Sequence, residues 1–349
     1  MNQTVSIGDR VIGPGHPPYI ICELSGNHNG SLDRALEMID AAAATGCDAI
    51  KIQTYTPDSL TIDCAADDFR INGGLWGGRT LYDLYQESHT PFSWHEALFD
   101  RAHERGVTIF STPFDEHGAD LLADLDAPAY KIASFEVVDL ALIEYVARKK
   151  KPMIISTGLA GLADIERAVT TARDNGCKEI ILLHCISSYP APSEQSNLRT
   201  IPHLAEAFGV NVGLSDHTMG TAVSVAAVAL GACVIEKHFT LARSDGGPDS
   251  EFSLEPTEFQ NLCEDTRAAW TALGHVNYNA APTEVDNLVF RRSLYATQDI
   301  PAGEELTTEN VRAIRPGFGL APHFIDLVIG RKATNGILRG TPLHWNLLT

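Results

Sequence analysis

Three histidines, two lysines, three glutamates and several serines stand at the ends of short apolar runs in this chain, and their chemistry is the first thing to weigh. His217 and His238 end successive runs, so neighbouring strands would bring their imidazoles to one point. Two neutral imidazoles completed by oxygen or water ligands suit Mn²⁺, Fe²⁺, Co²⁺ or Zn²⁺ better than Mg²⁺. The same pair also reads as hydrogen-bonded histidines in a polar pocket. Lys51 and Lys131, with Ser134, Ser156 and Ser215, form a receptor for a small dianion such as a phosphate ester or carboxylate. Either lysine could instead be an internal ion-pair partner of Glu23 or Glu136, and Lys131 or Lys237 could serve as a Schiff-base nucleophile. Asn27-His28-Asn29-Gly30 offers amide and imidazole groups to sugar hydroxyls, although Asn-Gly is also a plain turn signal. The loop Gly73-Gly74-Leu75-Trp76-Gly77-Gly78 lacks the spacing of a dinucleotide fingerprint and reads as a mobile lid.

The elements that must position these residues are eight apolar runs of strand length: Tyr19–Glu23, Ala49–Gln53, Thr108–Thr112, Ala129–Ala133, Pro152–Thr157, Ile180–His184, Asn211–Ser215 and Cys233–His238. Between them lie segments with apolar residues at helical spacing, such as Leu32, Leu36, Ile39 and Ala43, or Leu198, Ile201, Leu204 and Phe208. Gly46, Gly106 and Gly176 follow such segments as helix terminators. Strands apolar on both faces and alternating with helices are parallel and helix-covered, so eight units predict a (β/α)8 TIM barrel; a doubly wound open sheet is the alternative. Barrel sites lie at the C-terminal strand ends. Polar residues interrupt the runs there: Glu23, Lys51 with Gln53, Ser111 with Thr112, Lys131 with Ser134 and Glu136, Ser156 with Thr157, His184 with Ser187, Ser215 with His217, and Glu236 with His238. Isolated buried charges cost several kcal/mol, so their convergence marks a site.

After a helix over Pro256–Leu273 the pattern changes, giving a barrel domain over 1–275, a polar linker over 276–288 and a β-rich unit over 289–349. Strands are expected there at Arg291–Ala296, Ile300–Glu304, Val311–Pro316, Gly330–Ala333 and Ile337–Thr341. The net charge of −19 argues against nucleic acid or anionic lipid as a partner. The longest apolar run, Val223–Ile235, is too short for a bilayer, and no signal peptide is visible, so a soluble, cytoplasmic protein is expected. Seven cysteines, odd in number and never in Cys-x-x-Cys, indicate neither a disulfide framework nor a zinc ribbon.

Taken together, Glu23 with Asn27-His28-Asn29-Gly30, Asp48-Ala49-Ile50-Lys51-Ile52-Gln53-Thr54, Ser111-Thr112-Pro113-Phe114-Asp115, Lys131-Ile132-Ala133-Ser134, Ser156-Thr157-Gly158, His184-Cys185, Gly213-Leu214-Ser215-Asp216-His217-Thr218 and Glu236-Lys237-His238-Phe239 resemble the sialic acid synthase family. These are phosphoenolpyruvate-dependent nonulosonic acid synthases with a barrel and a C-terminal antifreeze-like (SAF) domain. The resemblance spans almost the whole chain. Glu23-Leu24-Ser25, where sialate synthases usually carry Glu-Ala-Gly, with Leu81-Tyr82-Asp83-Leu84-Tyr85, Ser134-Phe135-Glu136 and Arg291-Arg292-Ser293-Leu294-Tyr295, is similar to the branch that makes pseudaminic acid. Ser187 stands where sialate synthases typically place Asn.

The resemblance implies a phosphoenolpyruvate site of Lys51, Lys131, Ser134, Ser156, Ser187 and Ser215 beside a divalent metal, Mn²⁺ foremost with Mg²⁺ or Co²⁺ as alternatives, held by His217 and His238. It implies catalytic roles for Glu23, Glu136, His217 and His238, and an amino-deoxy sugar held by Asn27, Gln53, Tyr189, Glu236 and Asp249. Arg315 resembles the SAF arginine that reaches a neighbouring subunit's sugar pocket in a domain-swapped homodimer. Three rivals remain: N-acetylneuraminate or legionaminate synthesis in the same family, a Schiff-base aldolase, and a non-catalytic carbohydrate- or ice-binding protein.

Overall fold

A computed structural model describes residues 4–349, which divide into one compact unit ending at Gly274 and a second over His275–Thr349. The strands are β1 Val5–Ile7, β2 Arg10–Ile12, β3 Tyr19–Glu23, β4 Ala49–Thr54, β5 Thr108–Pro113, β6 Tyr130–Ile132, β7 Met153–Ser156, β8 Ile180–Cys185, β9 Asn211–Asp216, β10 Val234–His238, β11 Ser293–Ala296 and β12 Val311–Ile314. The helices are α1 Leu32–Ala44, α2 Pro57–Leu60, α3 Leu81–Ser88, α4 His95–Glu104, α5 Glu116–Asp124, α6 Leu140–Ala147, α7 Leu162–Asp174, α8 Thr200–Phe208, α9 Ala222–Ala229, α10 Pro256–Leu273 and α11 Ile325–Val328. β3 to β10 pair in parallel and close on themselves through the β10–β3 ladder. The open-sheet alternative is thereby overturned: all eight expected runs are staves of one barrel.

Two apolar layers hold the barrel. Outside the strands, helices bury one stripe each. Ser31 caps α1, its hydroxyl accepting from the Arg34 amide, and Ala35, Met38, Ile39 and Ala42 turn inward at helical spacing. Inside the barrel Tyr19, Ile21, Phe110, Ile154, Ile181 and Val234 form a separate cluster with Val5, Ile7 and Ile12 of the β1–β2 hairpin. Each such side chain contributes roughly 1.5–3 kcal/mol of burial. The hairpin packs where the strands begin, leaving the polar C-terminal ends as the mouth. No helix among the described residues is long and apolar enough to cross a membrane. All seven cysteines are free and six are buried.

In the second unit β11 and β12 form an antiparallel pair around a core that includes Leu294, Ile300, Leu306, Val311, Ile337 and Leu343. Three expected strands are corrected: Ile300–Glu304, Gly330–Ala333 and Ile337–Thr341 hold only single bridges, Ile300 to Ile337, Glu305 to Lys332 and Ala333 to Leu348. Turns follow one another too closely there for ladders to extend.

Candidate active site

Ladder register sets the polar residues in tiers. Cys185, Ser215 and Glu236 are level on β8, β9 and β10, and His238, Glu23 and Lys51 are level on β10, β3 and β4. Side chains alternate across a strand, so Glu236 and His238 face the lumen while Lys237 between them faces outward. The mouth holds a cavity of about 170 Å³ bounded by side chains from seven of the eight staves or the loops that follow them, among them Glu23, Gln53, Lys131, Ser156, Tyr189 and His217.

Its floor is a charge network. Lys51 pairs with Glu23, donates to the Thr112 hydroxyl at 3.2 Å and lies 3.9 Å from Glu236. Lys131 spans both Glu236 oxygens at 2.9 and 3.1 Å, and the Ser215 hydroxyl donates to Glu236 Oε1. Burial opposes the ionised Glu236, but Lys131 and then Lys51 outweigh it and hold its carboxyl at about 2. Burial likewise opposes charge on Lys51, and Glu23 and Glu236 outweigh it and raise its pKa. The ion-pair alternative for the lysines is therefore realised, with Glu236 rather than Glu136 as the partner of Lys131. One ammonium proton of each lysine has no protein acceptor in this network, which leaves donors for an incoming anion.

Beside Lys131 the wall is hydroxylic. Ser134 Oγ accepts from the Gly158 amide at 3.1 Å, and Ser156 Oγ is buried with no hydrogen-bond partner. A Cβ at Gly158 would fall 2.2 Å from Ser187 Oγ and 2.7 Å from Ser134 Oγ, so only glycine lets these hydroxyls close on one point. An orphaned buried hydroxyl costs stability unless a ligand completes it.

The opposite wall carries the histidines, with ring centroids 5.3 Å apart. His217 Nδ1 lies 3.0 Å from the Ile186 carbonyl, which fixes the proton there and leaves Nε2 its lone pair in the neutral imidazole. Burial pulls the His217 pKa down, but the Cys185 thiol 3.7 Å away turns the net shift upward. His238 is driven strongly toward the neutral form by burial and then by His217 and the lysines, and its Nδ1 is buried without a hydrogen-bond partner, 3.8 Å from Asp249. Burial pushes the Asp249 carboxyl up to about 6 against the Ser25 hydrogen bond. Among the described residues no three His, Cys, Asp or Glu side chains form a ready metal site. A divalent cation fits as a two-imidazole guest, because the orphaned His238 nitrogen and the free His217 lone pair are the donors such a cation uses.

Other expected site residues are placed differently. Asn27 does not line the cavity: its amide donates to the Phe239 carbonyl and Ser253 Oγ, and its Oδ1 accepts from the Asp249 amide. Glu136 lies on the turn after β6, beside the cavity-lining Phe135 but not itself in the wall, and burial raises its carboxyl to about 7. Ser187 flanks the cavity through Gly158, and exposed Arg315 follows β12 in the second unit. Lys237 is no Schiff-base candidate, being held outside the lumen by Asp216 at 2.9 Å and the Thr218 carbonyl at 2.6 Å. His28 is a packed core residue edge-on to Trp94. Trp76 lines the cavity, leaning on Tyr189 and donating to the Pro248 carbonyl at 2.8 Å, so its loop covers the mouth. Sequence reasoning missed Cys185 and Ser25 as members of the site, and Phe252, whose ring packs on His217, His238 and Tyr189. Cys185 carried a signal as the residue after a strand-end histidine, and Ser25 as the last residue of the Glu23-Leu24-Ser25 variant, whereas Phe252 carried none.

A closed barrel with a lysine- and serine-lined floor beside paired imidazoles defines a barrel enzyme with its site at the C-terminal strand ends. The NeuB family model matches residues 38–278 and the SAF domain model residues 291–349, and the chain belongs to the NeuB family. It is 46% identical over 325 residues to the pseudaminic acid synthase of Campylobacter jejuni, covering 93% of this chain and 95% of that protein. Against the pseudaminic acid synthase of Helicobacter pylori the identity is 43% over 328 residues, covering 94% and 96%. Among solved structures, the N-acetylneuraminic acid (sialic acid) synthetase of Leptospira borgpetersenii, in complex with citrate, superposes with a TM-score of 0.74 at 32% identity, covering 82% of this chain and 96% of that one.

Proposed function

We propose that this chain condenses phosphoenolpyruvate with 2,4-diacetamido-2,4,6-trideoxy-L-altrose and water, giving pseudaminic acid and phosphate. The observation that carries this reading is one cavity with a lysine- and serine-lined end and a two-imidazole end. The choice of sugar is supported by the 46% identity to a pseudaminic acid synthase.

Lys51, Lys131, Ser134, Ser156 and Ser215 would take the phosphate and carboxylate, with Ser187 behind Gly158. Gln53, Tyr189, Glu236 and Asp249 would take the sugar under Trp76. A divalent cation held by His217 and His238, Mn²⁺ foremost, supplies Lewis-acid polarisation of the aldehyde when bound. C3 of phosphoenolpyruvate adds to the aldehyde carbon, leaving positive character at C2. Glu23 would stabilise that positive character and accept the proton of the water that adds to C2. The C2–O bond of the tetrahedral intermediate then breaks, its electron pair leaving with phosphate, and the ammonium groups of Lys51 and Lys131 hold the departing dianion. Phosphoenolpyruvate is a cytoplasmic metabolite, so the work belongs there. The reading extends to a domain-swapped homodimer in which Arg315 serves the partner's cavity.

Phosphate release with Mn²⁺ tests the proposal across the altrose-derived sugar, N-acetylmannosamine and the legionaminate precursor. Release with the first alone is expected, with no borohydride-trapped pyruvate adduct. Release only with another sugar moves the reading to a sister synthase, and a trapped adduct overturns the mechanism.

A further inference from the structure

We propose that Ser25 is a positioning residue for the sugar end of the cavity: from a left-handed backbone, its hydroxyl sets the Asp249 carboxylate and the Gln53 amide into one polar wall. The identity of the sugar rests on the function proposed above; the positioning does not.

Ser25 follows β3, is 3% exposed and has φ +50, a region that a serine enters at a cost and a glycine does not. The turn is held tightly, because a Cβ on the next residue, Gly26, would come 2.6 Å from Ser88 Cβ. A serine in so constrained a place is explained by what its hydroxyl does. It donates to Asp249 Oδ2 and accepts from Gln53 Nε2 at 3.4 Å. The same Gln53 nitrogen donates to Glu23 Oε1 at 2.9 Å. Because a carboxylate only accepts, the chain has one direction: Gln53 gives its two amide protons to Glu23 and Ser25, and Ser25 gives its own to Asp249. The backbone of Asp249 is held separately, its amide by Asn27 Oδ1 at 3.3 Å and its carbonyl by Ser253 Oγ at 2.6 Å. Ser25 therefore selects the carboxylate's rotamer on a backbone already fixed, beside the cavity-lining His238.

Steady-state phosphate release by Ser25→Ala and Ser25→Gly, against the native enzyme, tests this. The KM for the sugar rises roughly tenfold in both, as for loss of one hydrogen bond to a charged group, while the KM for phosphoenolpyruvate is unchanged. Ser25→Gly, which relieves the backbone, unfolds at a higher urea concentration than Ser25→Ala, so the binding defect does not follow stability. An unchanged sugar KM, or equal rises for both substrates, overturns the proposal. Should the native enzyme release no phosphate with any of the sugars, the function fails on its own account, and a Ser25→Ala/Asp249→Asn double-mutant cycle in urea unfolding decides: non-additive losses support the positioning and additive ones overturn it.

Discussion

β10 carries two buried ion pairs on its two faces, and they differ in one respect. Outside the lumen, Lys237 donates to Asp216 and the Thr218 carbonyl, while Asp216 also accepts from the Thr218 amide, the Thr218 hydroxyl and the Ser224 hydroxyl. Inside the lumen, Lys131 and Ser215 share Glu236, with Lys51 3.9 Å away, yet Ser156 beside them is buried without a partner. Both carboxylates are held ionised against burial by their lysines. The outer carboxylate, with four donors on its two oxygens, is saturated and so is structural; the inner one stands beside a buried hydroxyl whose hydrogen-bonding capacity is unused. Buried charge alone does not distinguish the two, whereas unused hydrogen-bonding capacity does.

The comparison is broken most easily at the lysines. Lys131→Met is expected to lower phosphate release about 10³-fold, on the scale of losing a preorganised group that stabilises developing charge, in a protein that still folds. Lys237→Met strands Asp216 and is expected to cost about 3–5 kcal/mol in urea unfolding. An active Lys131→Met, or a Lys237→Met of native stability, would falsify the distinction.

A half-buried carboxyl sharpens it with a smaller effect. Burial raises the Glu136 carboxyl to about 7, above the 4.5 of a free glutamate. Between those values the unfolded chain has lost the proton and the folded chain keeps it, so this group makes stability fall as pH rises from about 4.5 to 7. Glu136→Gln is expected to gain on the order of 2 kcal/mol over the native protein at pH 8, the gain vanishing toward pH 4.5. Melting temperatures across that range check it, and a pH-independent difference refutes the burial account. Smallest are the hydroxyls. Ser224→Ala should cost about 1 kcal/mol of stability and leave both KM values alone, while Ser156→Ala should cost almost no stability and raise the KM for phosphoenolpyruvate several-fold. Paired unfolding and kinetic measurements would show whether the two serines exchange these roles.

Much of this arrangement was readable from residue order. The eight staves were legible because both faces of a barrel strand are buried, making each a short continuous apolar run, and Tyr19–Glu23 shows it with all five residues buried. α10 coincided with its expected Pro256–Leu273 span because a proline opens it and a glycine follows it. The β1–β2 hairpin was passed over, although Gly8-Asp9 between Val5, Ile7 and Ile12 is a turn flanked by alternating apolar residues. At the site, strand-end position found Lys51, Lys131, Ser156, His217 and His238, because the register of a closed barrel carries every such position to one mouth. The loop residues were harder. Asn27, from the motif that suggested sugar contact, turned out to brace Asp249, and Glu136, one turn beyond its strand, fell outside the wall.

Residue order by itself determined the barrel, its polar mouth and the kinds of group gathered there, since periodicity and strand-end chemistry are local properties. Only the tertiary structure decided which carboxylate meets which lysine, that Lys237 faces away while Glu236 faces in, and that Ser156 and His238 Nδ1 are left unpaired. Pairing and its absence depend on distances of a few tenths of an ångström between side chains far apart in the chain. Those distances exist only once the barrel has closed.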